Sequence, residues 1–204
     1  ARTRATMNIP VEHLIVDVQL NLERWRWLPE DLGRRHIRVN IAAFDTEVWD
    51  ADTVVMNIRS IVGREYRMTP SFNAEMSYLV LAPYWHVPPT IARVDKFPLI
   101  QQDPRYVSTS RMTLFSTESN TPVDPWAIDW SAVTGQEFNR RFRLRQEPGP
   151  SNALGNVKFM FPNRHNVYLH DTPQRELFSQ TARSFSSGCI RLERPLEMGD
   201  FLLS

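Results

Sequence analysis

A mixed, β-dominated domain with peripheral helices and one large insertion is the fold class this sequence predicts. Three observations carry it. Residues 37–49 and 53–62 are rich in β-branched and alternating apolar residues, the pattern of strands. A segment before them, 10–28, repeats apolar residues at three- and four-residue steps, the pattern of an amphipathic helix. A long proline-rich span, 84–150, then separates strand-like segments, as a lid or binding insertion does in a compact domain. The bulk composition agrees: 204 residues suit one domain or a domain and a half, and 42% hydrophobic residues suffice for a core. Charged residues at 23% argue against a disordered chain. A net charge of +1 gives no global case for binding nucleic acid or anionic lipid.

Taken in order, the first element is the helix over 10–28. Pro10 suits a helix start, Leu14, Ile15, Val18, Leu22 and Trp25 form its apolar stripe, and Pro29 and Gly33 end it. It is expected to form an N-terminal unit, 1–36, packed on a domain over 37–204. The runs 37–49 and 53–62 flank Asp50-Ala51-Asp52 and read as a β-hairpin. Met76 to Ala82 is a third strand, closed by Pro83. The insertion holds many of the 15 prolines, short helices near 90–97 and 103–107, and Trp126 and Trp130. Val157–Phe161 and Asn166–His170 read as strands around Pro162-Asn163, and 173–180 and 195–203 as helices. The chain starts at Ala1-Arg2 and stops within the last helical pattern, so it reads as an excised segment with its C-terminus cut short.

Cys189 is the one cysteine, which excludes an internal disulfide and a cysteine zinc cluster. It follows Gly188 in a chain with only 7 glycines. His170 closes a strand nineteen residues earlier, a separation that lets a short helix and a return strand bring the two together. A thiol nucleophile needs a base to ionise near neutral pH, and imidazole is the usual one. Gly188 allows close backbone approach, so that consecutive N–H groups point at a developing oxyanion. Arg191 suits bidentate binding of a carboxylate. The same residues also fit a plainer reading, with Cys189 a small buried hydrophobe and His170 a core histidine. Spacing alone leaves both open.

The blocks Tyr168-Leu169-His170-Asp171-Thr172-Pro173 and Ser186-Ser187-Gly188-Cys189-Ile190-Arg191 resemble the active-site signature of the L,D-transpeptidases with a YkuD-type catalytic domain. Ser187 stands where that family commonly has His, and Asp171 where it commonly has Gly. Both departures resemble the larger, YcbB-like Gram-negative branch with a capping insertion, as do Asn21–Pro29, Pro83–Pro89 and Asn152–Gly155.

The resemblance implies a β-sandwich-like domain in which 84–150 is the cap. It implies Cys189 as nucleophile and His170 as base, with Gly188 and Cys189 N–H groups as the oxyanion hole. Arg191 and Tyr168 would contact substrate. Ser187 would act by hydroxyl hydrogen bonding, and Asp171 would orient His170 through its carbonyl or its carboxylate. The implied reaction joins peptidoglycan stems. Cys189 attacks the diaminopimelate–D-Ala bond of a donor tetrapeptide, and an acceptor diaminopimelate amine resolves the thioester. Water in place of the amine gives an L,D-carboxypeptidase, and loss of turnover a wall-binding module. The implied setting is the Gram-negative periplasm. Carbapenem β-lactams are the implied covalent inhibitors and other cell-wall enzymes the implied partners, with no cofactor, metal or nucleic acid.

Three features stand apart from that signature. Arg140–Arg145 alternates Arg with Phe142 and Leu144, which reads as an exposed face rather than a nucleic-acid patch. Trp126 and Trp130, four apart, suit core or lid packing more than sugar stacking. His13, His36, His86 and His165 lack metal-ligand spacing.

Overall fold

A computed structural model of the chain describes residues 8–204, so the expectations placed on 1–7 lie outside the described residues. Helix α1 (Val11–Trp25) forms where the apolar periodicity places it. The predicted packing does not follow: none of its residues is buried, and Leu14, Ile15, Val18 and Leu22 are 46–60% exposed. A contact from its last turn to the sheet is Trp25, whose ring lies 5.8 Å from the Arg38 guanidinium. Apolar spacing sets which side of a helix is apolar; a separate surface must exist to cover it.

The run read as one strand over 37–49 is two, β1 (Arg35–Asn40) and β2 (Asp45–Asp50). The break has a local cause. Asn40 Oδ1 accepts from Ala43 N at 3.0 Å, an Asx-type turn, and Phe44 takes a left-handed φ of 59°. Strand β3 (Thr53–Gly63) follows a tight turn through Ala51. The other strands of the main sheet are β4 (Tyr78–Leu81), β8 (Val157–Met160), β9 (Leu169–His170), β10 (Ser184–Ser186) and β11 (Ile190–Leu192). Their order is β1-β2-β3-β11-β9-β8-β4, with β10 laid parallel on the end of β3. The pair β9–β11 is parallel; β8–β9, β4–β8 and β3–β11 are antiparallel.

Register sorts the two faces of this sheet. Val157, Phe159, Leu169, Ile190 and Leu192 turn to one side and bury against Val48, Ile58 and Met198. Met198 belongs to helix α5 (Pro195–Leu203), which begins on a proline as a first turn tolerates. Lys158, Tyr168, His170 and Arg191, one residue out of step, turn to the other side. A one-residue slip anywhere in β8, β9 or β11 would exchange the two sets, so the apolar core also fixes which residues meet on the opposite face.

The insertion occupies 82–156, a little wider than the predicted 84–150. It leaves from β4 and returns into β8, so both of its ends are held together: Leu81 pairs with Val157, and Ala82 N donates to Asn156 O at 2.8 Å. It contains β5 (Trp85–His86), β6 (Met112–Ser116) and β7 (Phe142–Gln146) in a sheet of order β5-β7-β6. A helical run over 89–102 includes a π-helical turn and α2 (Phe97–Gln102); α3 (Arg105–Thr109) and α4 (Gly135–Arg141) follow. Helix α4 starts on a capping box, with Thr134 Oγ1 accepting from Glu137 N and Glu137 Oε2 accepting from Thr134 N.

The insertion has its own core, in which the rings of Phe97, Trp130, Phe138 and Phe142 lie 5.0–6.3 Å apart. Trp130 is therefore a core residue, whereas Trp126 is 65% exposed. The arginine run becomes the end of α4 and strand β7, with Phe142 and Leu144 buried and Arg143 exposed between them. Tyr168 packs against both the insertion core and the sheet core, and is the seam between them.

Candidate active site

The polar face of β8, β9 and β11 is built by register. Lys158 pairs with His170 across β8–β9, and His170 pairs with Arg191 across β9–β11. The three side chains thus form a row across three adjacent strands, with imidazole between two cations. Cys189 immediately precedes β11, so it lies beside Tyr168, diagonal to His170 on the same face. Its Sγ is 3.9 Å from Asn166 O. The ring of Tyr168 is 5.6 Å from that of His170 and 3.8 Å from Lys158 Nζ. Sequence reasoning named Cys189, His170, Tyr168 and Arg191, and the fold brings all four together. It missed Lys158, whose one signal was rarity: it is one of two lysines among 24 basic residues.

His170 is buried and donates Nδ1–H to the carbonyl of Asp171. A carbonyl only accepts, so this bond fixes the tautomer and leaves Nε2 with its lone pair free. The Asp171 carboxylate has another task. It accepts from Asn156 N at 2.8 Å, Asn156 Nδ2 at 3.1 Å and Arg175 Nη1 at 3.0 Å. Of the two groups that sequence left open, the carbonyl is the one on the imidazole, and the carboxylate clamps the root of β8. Gly155, at φ 60°, makes room for it, since a Cβ there would overlap the carboxylate.

The loop before β11 is held from two sides. Ser186 Oγ donates to Cys189 O at 2.6 Å and accepts from Gly188 N at 3.0 Å. Of the two N–H groups expected to face an oxyanion, that of Gly188 is thereby engaged, and that of Cys189 makes no hydrogen bond among the described residues. Thr69 Oγ1 donates to Gly188 O at 2.7 Å and accepts from Gly63 N at 2.9 Å. Ser187 Oγ accepts from Arg67 Nη1 at 3.0 Å. The same guanidinium grips Asp95 of the insertion through both carboxylate oxygens, at 2.6 and 3.0 Å. Residues 63–69 therefore tie the cysteine loop to the insertion, a role sequence did not foresee for Arg67 or Asp95.

Electrostatics follow from burial and from the cation row. Desolvation, then Arg191 and Lys158, hold the His170 imidazole down to about 3, so it is neutral at ordinary pH. Burial pushes the Cys189 thiol up, opposed by Tyr168, Lys158 and Arg191. Burial likewise pushes the Tyr168 phenol up and the Lys158 ammonium down. At rest the site thus holds a thiol and a neutral imidazole on adjacent strands.

Residues 34–203 match the family model of the YkuD L,D-transpeptidase catalytic domain. A Haemophilus influenzae (strain Rd) protein named "Putative L,D-transpeptidase" is 34% identical over 184 residues, 90% of this chain. The chain spans 36% of that protein's length. An L,D-transpeptidase from Mycobacterium smegmatis, 14% identical, aligns over 83% of this chain and 54% of its own with a TM-score of 0.37. On the family match across its sheet, insertion and cysteine loop, the chain belongs to the family of YkuD-type L,D-transpeptidase catalytic domains.

Proposed function

We propose that this domain is a peptidoglycan L,D-transpeptidase of the YcbB-like branch, acting in the Gram-negative periplasm, with 82–156 as its substrate cap. The observation that carries the reading is a histidine, on the strand beside Cys189 and on the same face, whose tautomer is fixed by the Asp171 carbonyl so that Nε2 keeps its lone pair.

The chemistry follows from those groups. Nε2 accepts the thiol proton as Sγ adds to the diaminopimelate carbonyl of a donor tetrapeptide stem. The oxyanion forms beside the Cys189 N–H, which needs no new partner to be displaced. Collapse expels D-Ala, whose nitrogen takes the proton from His170. The amine of an acceptor diaminopimelate then attacks the thioester, gives its proton to His170, and frees the thiol as the new amide forms. Water at that step gives a tripeptide instead. Strained β-lactams, carbapenems in particular, offer the same electrophile and acylate the same sulfur.

Purified protein incubated with tetrapeptide muropeptides, with products read by mass spectrometry, tests the reading. A cross-linked dimer is expected, and Cys189→Ala abolishes it. A tripeptide alone would make the domain a carboxypeptidase. No product from a folded protein whose thiol is intact would reject both.

A further inference from the structure

Lys158 and Arg191 are half-buried cations on the face that carries Cys189, and neither has a counterion. The ion pairs among the described residues include neither of them. Lys158 Nζ rests on the face of the Tyr168 ring. Arg191 gives one nitrogen to Gln174 Oε1 at 2.6 Å, and its Nε is buried with no partner. A third cation, Arg64, lies close enough to Arg191 to lower its basicity, and gives its nitrogens to Ser186 O, Phe185 O and Tyr66 Oη. Asp171, next to His170, is taken by Arg175 and Asn156, and Glu193, two residues after Arg191, is taken by Arg59. Unpaired charges withdrawn from water are costly, and buried ones are ordinarily paired. An unpaired pair of them beside a reactive thiol is the chemistry of an anion receptor.

We infer that Lys158 and Arg191 form a carboxylate-binding subsite beside Cys189, with Lys158 as the residue that makes the site prefer a free carboxylate over its uncharged amide. Arg191 supplies the planar donor with an open Nε–H, and Lys158 the point charge from the opposite side of His170. Register fixes the span: the two cations sit on strands either side of β9, two strand spacings or about 10 Å apart at the backbone, and rise from the same face with the imidazole between them. In the reaction proposed above, the donor stem presents two free carboxylates near its scissile bond. One is on the terminal D-Ala and one on the unlinked centre of diaminopimelate. Both share the chemistry of the subsite. The assignment of a stem rests on the proposed function; the preference for a carboxylate does not.

The test uses two probes of Cys189 that differ only in charge. Iodoacetate and iodoacetamide attack the same thiolate, so any effect on its ionisation cancels in the ratio of their rates. The native protein is expected to raise the iodoacetate-to-iodoacetamide ratio by about tenfold over that of a free thiol, the size of one charge-assisted hydrogen bond. Lys158→Met keeps the aliphatic stem over Tyr168 and should return the ratio most of the way to the free-thiol value; both absolute rates fall with the loss of a cation that favours the thiolate, and the ratio removes that common factor. Lys158→Arg should restore it. A ratio unmoved by Lys158→Met, whatever the two separate rates do, overturns the inference.

A second arm measures acylation of Cys189 by tetrapeptide stems amidated at one carboxylate or the other. The amidation that slows native protein but not Lys158→Met identifies the carboxylate bound. Indifference of the native protein to both amidations also overturns the inference. Failure of every stem to acylate, with the iodoacetate preference intact, would count against the transpeptidase reading and leave the subsite standing.

Discussion

A single hydrogen bond decides what His170 is able to do. The Asp171 carbonyl accepts the Nδ1–H hydrogen bond, so Nε2 is the basic nitrogen, and burial between Lys158 and Arg191 keeps that nitrogen unprotonated down to about 3. This carries a stability consequence with a definite sign. In the unfolded chain the imidazole titrates near its ordinary 6.5, so below that pH the unfolded state binds a proton the folded state refuses. Stability is full above about 6.5 and falls as pH drops from there toward about 3, by up to ~1.4 kcal/mol for each pH unit from this residue. Denaturant melts of native protein and His170→Gln at pH 7 and pH 4 measure it. The native protein should lose a few kcal/mol more than the variant. Equal losses would mean that His170 is protonated in the folded state.

The cysteine loop is shaped at the scale of elements, by β3 and the turn that follows it. Gly63 ends β3 with the Arg67 carbonyl and the Thr69 nitrogen packed where a side chain would be, the latter 2.6 Å from a Cβ. That closeness is what lets Thr69 bind both Gly63 N and Gly188 O. Gly63→Ala must push the 65–69 turn outward, at a cost of about 1–3 kcal/mol from overpacking. The turn carries Thr69 and Arg67 with it, so acylation of Cys189 should fall by at least tenfold in protein that still folds. Gly199→Ala is the matched control, because its Cβ would meet Phe159 at an ordinary 3.9 Å and a helix tolerates alanine better than glycine. Under the proposed function, carbapenem acylation followed by intact mass, beside thermal melts, reads both. A Gly63→Ala protein acylated at the native rate would show that the turn does not shape the cysteine loop.

Two hydrophobic cores divide the whole molecule, one under the sheet and one inside the insertion, with Tyr168 packed against both. The insertion is joined through one antiparallel strand pair, and Arg67–Asp95 bonds its π-helical turn to the cysteine loop. Replacing 83–154 by a short Gly-Ser turn keeps Gly155 and Asn156, and hence the clamp on Asp171. The sheet should then fold as a cooperative unit, since its own core is untouched, while under the proposed function acylation by peptide stems is lost with the insertion. Far-UV circular dichroism with a thermal melt and product mass spectrometry separate the two effects. Cross-linking at the native rate in the shortened protein would remove the cap from the mechanism, and failure to fold would show that the two cores are one.

From its sequence alone the protein is legible wherever a signal is local. Alternating apolar residues mark the strands, proline density marks the insertion, and the blocks around His170 and Cys189 mark the family. The split of 37–49 into two strands was not legible, because Asn40 and Phe44 turn the chain within an apolar run that continues through the turn. Helix α1 has the apolar stripe that sequence describes, yet what covers a stripe is a property of the surface opposite it, and the described residues place none there. The site divides in the same way. Cys189 and His170 announce themselves by type and neighbourhood. Lys158, Arg67 and Asp95 do not, because their roles arise from strand register and from an ion pair closed across 28 residues. The choice between the Asp171 carbonyl and carboxylate was likewise tertiary: Asn156 and Arg175, brought to the carboxylate by β8 and the turn after β9, occupy its oxygens and leave only the carbonyl for the imidazole.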